Sequence, residues 1–107
     1  MSLQETSWIS KGTEEIFEQI VKWRRHFHQN PELGFAGTGL TALIVSQKPG
    51  PVIAIRAEMD ALPVEEKTGL EFASKNPGIM HACGHDAHMA IALGTAKLLH
   101  DHQDRWR

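Results

Sequence analysis

The chain has 107 residues, of which 41% are hydrophobic and 22% charged, and its formal net charge is −2. This balance is typical of a small globular domain or part of a larger one, and the mixed charges exclude the basic stripe of a nucleic-acid or anionic-membrane binder. No stretch approaches the roughly 20 apolar residues that cross a bilayer, and one cysteine cannot form an internal disulfide, so we expect a cytoplasmic protein.

A flexible N-terminal arm is predicted over residues 1–12, followed by a helix from Thr13, whose hydroxyl can cap the first turn. Pro31 disfavours helical backbone at the residue before it, so the helix should end near His28. Apolar residues recur within the helix at the spacing of a single stripe. The stripe contains Ile16, Ile20, Trp23 and Phe27.

Two short strands are predicted after a glycine-rich loop. Residues 40–45 are apolar and end β-branched, and residues 52–55 are apolar on both faces, as in a covered strand. The proline- and glycine-rich link between them favours an antiparallel hairpin. The polar residues that follow share one face of the second strand at its end: Arg56, Glu58 and Asp60.

An irregular connection of about 20 residues, 61–82, leads to the last predicted helix, and loops of this length are often functional. Asp86 is predicted to cap this helix, which continues to about Leu99 and should be buried at its beginning. The elements together predict an α/β fold with a helix, a β-hairpin or short mixed sheet, a long loop and a helix.

Residues 80–88, which lead into the last helix, contain the only cysteine and three of the seven histidines. Thiolate and imidazole are preferred ligands of borderline divalent metals, and Gly84 gives the turn the freedom to bring Cys83 and His85 together. A buried cysteine beside a hydrogen-bonded histidine is the alternative, and the surrounding cluster favours the metal. His81 could orient a ligand or be an ordinary polar residue, and His88 is more simply ordinary.

Carboxylates near this cluster have two interpretations. In the first, Glu58 and Asp60 bind a hard cation, orient a ligating histidine or, with the right partner, act as a general acid or base. In the second, which the pair alone would favour, they cap loop amides at the end of the strand. Glu66 is predicted to lie in a solvated loop, and His28 on a polar face of the first helix.

Three stretches together resemble the N-terminal part of M20-family metallopeptidases, in the subgroup of hippurate hydrolases, auxin-conjugate hydrolases and N-acetyldiaminopimelate deacetylases. The stretches are residues 23–35, 50–63 and 80–88, and their order is that of the family. The resemblance implies hydrolysis of N-acyl amino acids or related amides at two divalent ions, zinc, manganese, nickel or cobalt. It makes Cys83 the bridging thiolate and His85 a metal ligand, with Asp60 supporting the centre.

The sequence departs from the family pattern in three ways. A helix–strand unit is missing after about residue 35, Glu58 replaces an aspartate, and the Pro-Ala-Glu-Glu segment that carries the catalytic glutamate does not occur in the 107 residues. We therefore expect residues 13–107 to form the N-terminal half of a catalytic domain, inactive alone. A metal- or partner-binding remnant without catalysis is the alternative, and exposed sheet edges would favour self-association.

Overall fold

The computed structural model describes residues 2–107 and contains two helices, α1 over Leu3–Gln29 and α2 over His85–Asp101. The rest of the described chain is irregular and includes two isolated β-bridges. The two helices pack against each other, and the few fully buried apolar residues lie at the start of α2 and beside the bridges. The buried apolar residues are Ala61, Met89 and Ala90.

Helix α1 begins at Leu3, well before the predicted start at Thr13, so residues 3–12 are helical rather than a loose arm. Ser2 caps it in a capping box, since its hydroxyl accepts from the Glu5 amide at 3.2 Å and the Glu5 carboxylate accepts from the Ser2 amide at 2.6 Å. The Thr13 hydroxyl instead donates to the Ile9 carbonyl one turn earlier. The end of α1 at Gln29, two residues before Pro31, agrees with the prediction.

The predicted apolar stripe of α1 is half-buried and faces α2. Two glycines allow the helices to approach closely. A Cβ on Gly94 would lie 2.7 Å from Cδ1 of Ile20, and a Cβ on Gly12 would collide with the Leu98 side chain. The backbones therefore approach each other where side chains have no room.

Helix α2 begins at His85, and its N-cap is Gly84, with φ 95° in the left-handed region that favours glycine. The prediction that Asp86 caps the helix is wrong, because Asp86 lies inside the first turn and is fully buried. Its carboxylate binds side chains of α1 rather than acting as the cap.

The predicted hairpin is not formed: within residues 2–107, neither 40–45 nor 52–55 is a strand. Both segments are exposed, and Val52 is 92% and Ile53 77% accessible. Apolar sequence favours a strand only where a neighbouring strand and a covering layer exist, and this part of the chain provides neither. The radius of gyration, 16.3 Å, correspondingly exceeds the roughly 13 Å of a compact 100-residue domain.

The connection over 61–82 is irregular, as predicted, and two bridges hold it in place. Ala61 pairs with Leu33 in parallel, and its amide donates to the Glu32 carbonyl at 2.8 Å. Leu62 and Met80 exchange two antiparallel hydrogen bonds of 2.9 and 3.0 Å. The two ends of the loop are therefore held next to each other. Neither helix of the described chain is long and apolar enough to cross a membrane.

Candidate metal centre

The turn that precedes α2 brings His85 against Asp60. Nδ1 of His85 lies 3.0 Å from the Asp60 main-chain carbonyl and 3.0 Å from its Oδ1. Both acceptors engage the same ring nitrogen, which fixes the tautomer with the proton on Nδ1 and leaves Nε2 as the atom able to ligate a metal. The carboxylate and the imidazole are thus placed in the arrangement that orients a ligating histidine.

Cys83 is exposed and has a free thiol. The next residue, Gly84, has left-handed backbone and is the N-cap of α2, which begins at His85. An accessible thiol beside a helix N-terminus is able to reach a metal as thiolate, whereas a structural cysteine would be buried and inert. The exposure of Cys83 argues against the packed-cysteine alternative.

His81 is buried, and its Nδ1 has no hydrogen-bond partner among the described residues. Burial lowers the pKa of His81, and the neighbouring charges of Asp86 and Asp60 oppose this only in part. The neutral ring is therefore favoured at this position.

Glu58 and His88 do not join the Asp60–His85 pair. Glu58 forms a surface ion pair with Arg56, at 2.6 Å, and is about half exposed. His88 is exposed, with its ring centroid 6.0 Å from that of His85. No strand forms here, and of the predicted face of Arg56, Glu58 and Asp60 the structure shows only the contact between Arg56 and Glu58.

The donor chemistry of Cys83 and His85 fits a borderline divalent ion, because a thiolate and an oriented imidazole are its preferred ligands. The number of donors is smaller than a centre needs. Among residues 2–107 no group of three or more His, Cys, Asp or Glu side chains is arranged to hold a metal. The described chain thus carries part of a ligand set.

A buried polar network lies behind the Asp60–His85 pair, and sequence reasoning missed it. Nδ1 of His28 lies 2.8 Å from Asp86 Oδ2, and its Nε2 lies 2.8 Å from Glu66 Oε1. The three side chains are 3%, 2% and 4% exposed, respectively. The placements of His28 on a solvated helix face and of Glu66 in a solvated loop are therefore wrong. We call His28, Asp86 and Glu66 the buried triad.

Both carboxyl groups of the buried triad remain ionised to lower pH than usual. Burial by itself would raise the pKa of Asp86, but the hydrogen bond to His28 and the charge of Arg24, whose Nε lies 3.0 Å away, lower it overall. Burial by itself would also raise the pKa of Glu66. Hydrogen bonds from Thr68, the Ser74 amide and His28 outweigh this effect, so the pKa of Glu66 is lowered overall. The site thus holds two carboxylates with little solvent exposure, each of which accepts at least two hydrogen bonds.

Comparison with known proteins gives the same family by sequence and by structure. Residues 54–107 match the family described as Peptidase family M20/M25/M40. The chain is 42% identical to an N-acyl-L-amino acid amidohydrolase of Geobacillus stearothermophilus, over 90% of this chain and 32% of that protein. It is also 42% identical to an N-acetyl-L-cysteine deacetylase of Bacillus subtilis, over 94% of this chain and 30% of that protein.

A crystal structure from Bacillus subtilis, of a dinuclear metal-binding peptidase from the M20 family, superposes with a TM-score of 0.76 and 36% identity. The match covers 84% of this chain and 32% of that protein. The present chain therefore spans about a third of the length of the relatives that it matches.

Proposed function

The chain belongs to peptidase family M20/M25/M40, and on that premise we propose that its function is the metal-dependent hydrolysis of N-acyl amino acids or related amides. The observation that carries the proposal is the His85 ring, whose Nδ1 is held by Asp60 and which follows the exposed thiol of Cys83 by two residues. Two relatives, an N-acyl-L-amino acid amidohydrolase and an N-acetyl-L-cysteine deacetylase, support this substrate class.

Three residues have distinct roles in this proposal. Cys83, as thiolate, and His85, through Nε2, are metal ligands, and Asp60 is a supporting residue that keeps the imidazole oriented. The ions would be two divalent metals of the zinc, manganese, nickel and cobalt group, and the dinuclear metal-binding M20 relative supports their number. When bound, such ions polarise the amide carbonyl and acidify a water molecule.

We further propose that the 107 residues by themselves do not complete the reaction. The described chain offers no third ligand to the Cys83–His85 pair, and no carboxylate besides Asp60 contacts His85. A general base contributes about 10²-fold or more, so its loss alone would make hydrolysis very slow. The second candidate, a metal- or partner-binding module without catalysis, is favoured by the same incomplete ligand set.

The chain architecture is also a proposal. Residues 13–107 would represent the N-terminal half of an M20 catalytic domain that lacks a helix–strand unit after about residue 35. The alignment with the Geobacillus relative extends over 120 residues, more than the 107 of this chain. The difference supports the proposal that the relative has residues, such as this unit, without a counterpart here. The exposed apolar segment 40–55 would favour self-association, and a cytoplasmic, reducing location would keep Cys83 as a free thiol.

Cobalt binding tests the metal half of the proposal. We expect the purified chain to bind Co²⁺ with the charge-transfer absorption of a cobalt–thiolate bond, and Cys83→Ala to lose this band. His100→Ala is a matched control, because His100 is an exposed histidine of the last turn of α2. If the parent chain and Cys83→Ala give the same spectrum, Cys83 is not a ligand.

Hydrolysis of N-acetyl amino acids tests the catalytic half. We expect no amine release by the chain alone, and release after mixing with the remaining two thirds of an M20 relative would favour a docking module. Chelator-sensitive hydrolysis by the chain alone would contradict the proposed inactivity while supporting the amidohydrolase activity.

A further inference from the structure

We propose that His28 is a positioning residue, which holds the first turn of α2 so that Cys83 and His85 present their ligating atoms together. The inference rests on the function proposed above and adds to it a residue outside the Cys/His cluster. It is carried by the bridge that the His28 ring makes between Asp86 and Glu66, with both contacts at 2.8 Å.

The bridge joins three distant parts of the sequence at one buried point. His28 is in the last turn of α1, Asp86 is in the first turn of α2, and Glu66 is in the long connection. Asp86 directly follows His85, so the position of its side chain constrains the backbone that carries the ligating ring. Any rotation of this turn would break a buried hydrogen bond to a carboxylate, which is unfavourable because water cannot replace the lost partner there.

Asp86 is held from two places on α1. Arg24 Nε lies 3.0 Å from the same Oδ2 that His28 contacts, and residues 24 and 28 are neighbours on one face of the helix. Phe72 covers the cluster, with its ring 5.6 Å from the His28 ring and 5.1 Å from the Arg24 guanidinium carbon. These contacts hold the Asp86 carboxylate from two turns of α1.

Stability alone explains this arrangement poorly. A buried ion pair contributes little net stability, because desolvation offsets the attraction, and apolar residues of similar volume often do as well. What the charged arrangement supplies is a fixed geometry. The geometry here is fixed at Asp86, the residue adjacent to His85. The ring of His85 is itself held by Asp60.

Two isosteric variants separate positioning from general stability. The amide nitrogen of His28→Asn replaces Nδ1 and keeps the bond to Asp86, whereas that of His28→Gln replaces Nε2 and keeps the bond to Glu66. Each variant loses one buried bond, so both should be destabilised to a similar extent. Only His28→Gln removes a contact to the first turn of α2, where Arg24 remains as the partner of Asp86.

Co²⁺ titration of the full 107-residue chain is the first readout. We expect His28→Asn to bind within about 3-fold of the parent, and His28→Gln to lose about 10-fold or more, the range known for residues that orient ligands. Equal losses in the two variants, or losses that follow the unfolding midpoints of the metal-free chains, would overturn the proposal.

Amide hydrogen exchange of the metal-free chain is the second readout, and it can be measured on the folded molecules even if a variant is partly unfolded. His28→Gln should speed exchange at residues 88–90 about 10-fold, because these amides close the first turn of α2, and His28→Asn should not. Unchanged exchange in His28→Gln would refute the positioning role, even if cobalt affinity fell. A parent chain that binds no cobalt would overturn the proposed function, and the role of His28 toward a metal with it.

Discussion

Replacement of Gly94 by alanine tests how closely the two helices are packed. A Cβ at this position would lie 2.7 Å from Cδ1 and 2.9 Å from Cγ1 of Ile20, both well inside van der Waals contact. Overpacking of this kind costs about 1–3 kcal/mol. Alanine also has the better helix propensity, by about 1 kcal/mol. The net expectation for Gly94→Ala is a loss of about 0–2 kcal/mol in the free energy of unfolding.

The sign should reverse when the obstructing side chain is removed. In an Ile20→Ala background, the next atom along the same path is Cδ1 of Ile16, at an ordinary 3.8 Å. The propensity term then acts alone, and Gly94→Ala should stabilise by up to about 1 kcal/mol. Ile20 is only half-buried, so its truncation should cost less than that of a fully buried isoleucine.

Urea unfolding of the four chains, followed by far-UV circular dichroism, measures both effects in one double-mutant cycle. The coupling energy between positions 20 and 94 should be about 1–3 kcal/mol, the overpacking term itself. If Gly94→Ala changes the unfolding free energy equally in both backgrounds, within about 0.3–0.5 kcal/mol, the close approach of the helices is not present in solution.

Three further predictions follow from single features of the fold. The pKa of Glu66 in the folded chain lies below the ordinary 4.5, so its carboxylate contributes stability above pH 4.5 that is lost as the pH falls through the folded value. Glu66→Gln should therefore reduce the loss of stability at acid pH, measured as the urea midpoint against pH. Ser2→Ala should cost about 1 kcal/mol locally, seen as faster hydrogen exchange in the first turn of α1 but not in α2. Ile53→Lys should reduce concentration-dependent self-association in light scattering without lowering the unfolding midpoint, and a parent that stays monomeric would contradict this.

The helices could be predicted because their signals are local. The apolar stripe from Ile16 to Phe27 and Pro31 placed the second half and the end of α1. Its first half lacks a clear stripe, and the available signal was the Ser2-Leu3-Gln4-Glu5 capping box. The prediction of strands was wrong for the opposite reason. Residues 52–55 have the composition of a buried strand, but whether a partner strand lies beside them is not determined by the segment itself.

The contacts of the site also differ in how far the sequence alone could predict them. The roles of Asp60, Cys83 and His85 are predictions from residue chemistry and the family resemblance, and the Asp60–His85 contact supports the role proposed for Asp60. The triad of His28, Asp86 and Glu66 joins positions 58 and 38 residues apart, and nothing periodic connects them. A histidine and a glutamate in polar surroundings give no sequence signal for burial, so only the folded chain identifies this network.

The structure also changes how Asp60 is delivered to His85. The sequence predicts a strand end, yet residues 52–55 are exposed and unpaired. What fixes Asp60 is the next residue, Ala61, which is buried and whose amide donates to the Glu32 carbonyl just beyond α1. The buried triad fixes the other partner from the last turn of the same helix. Because both halves of the Asp60–His85 contact are tied to the end of α1, their geometry does not depend on the pairing of segment 40–55, and a substitution there should change association without changing this contact.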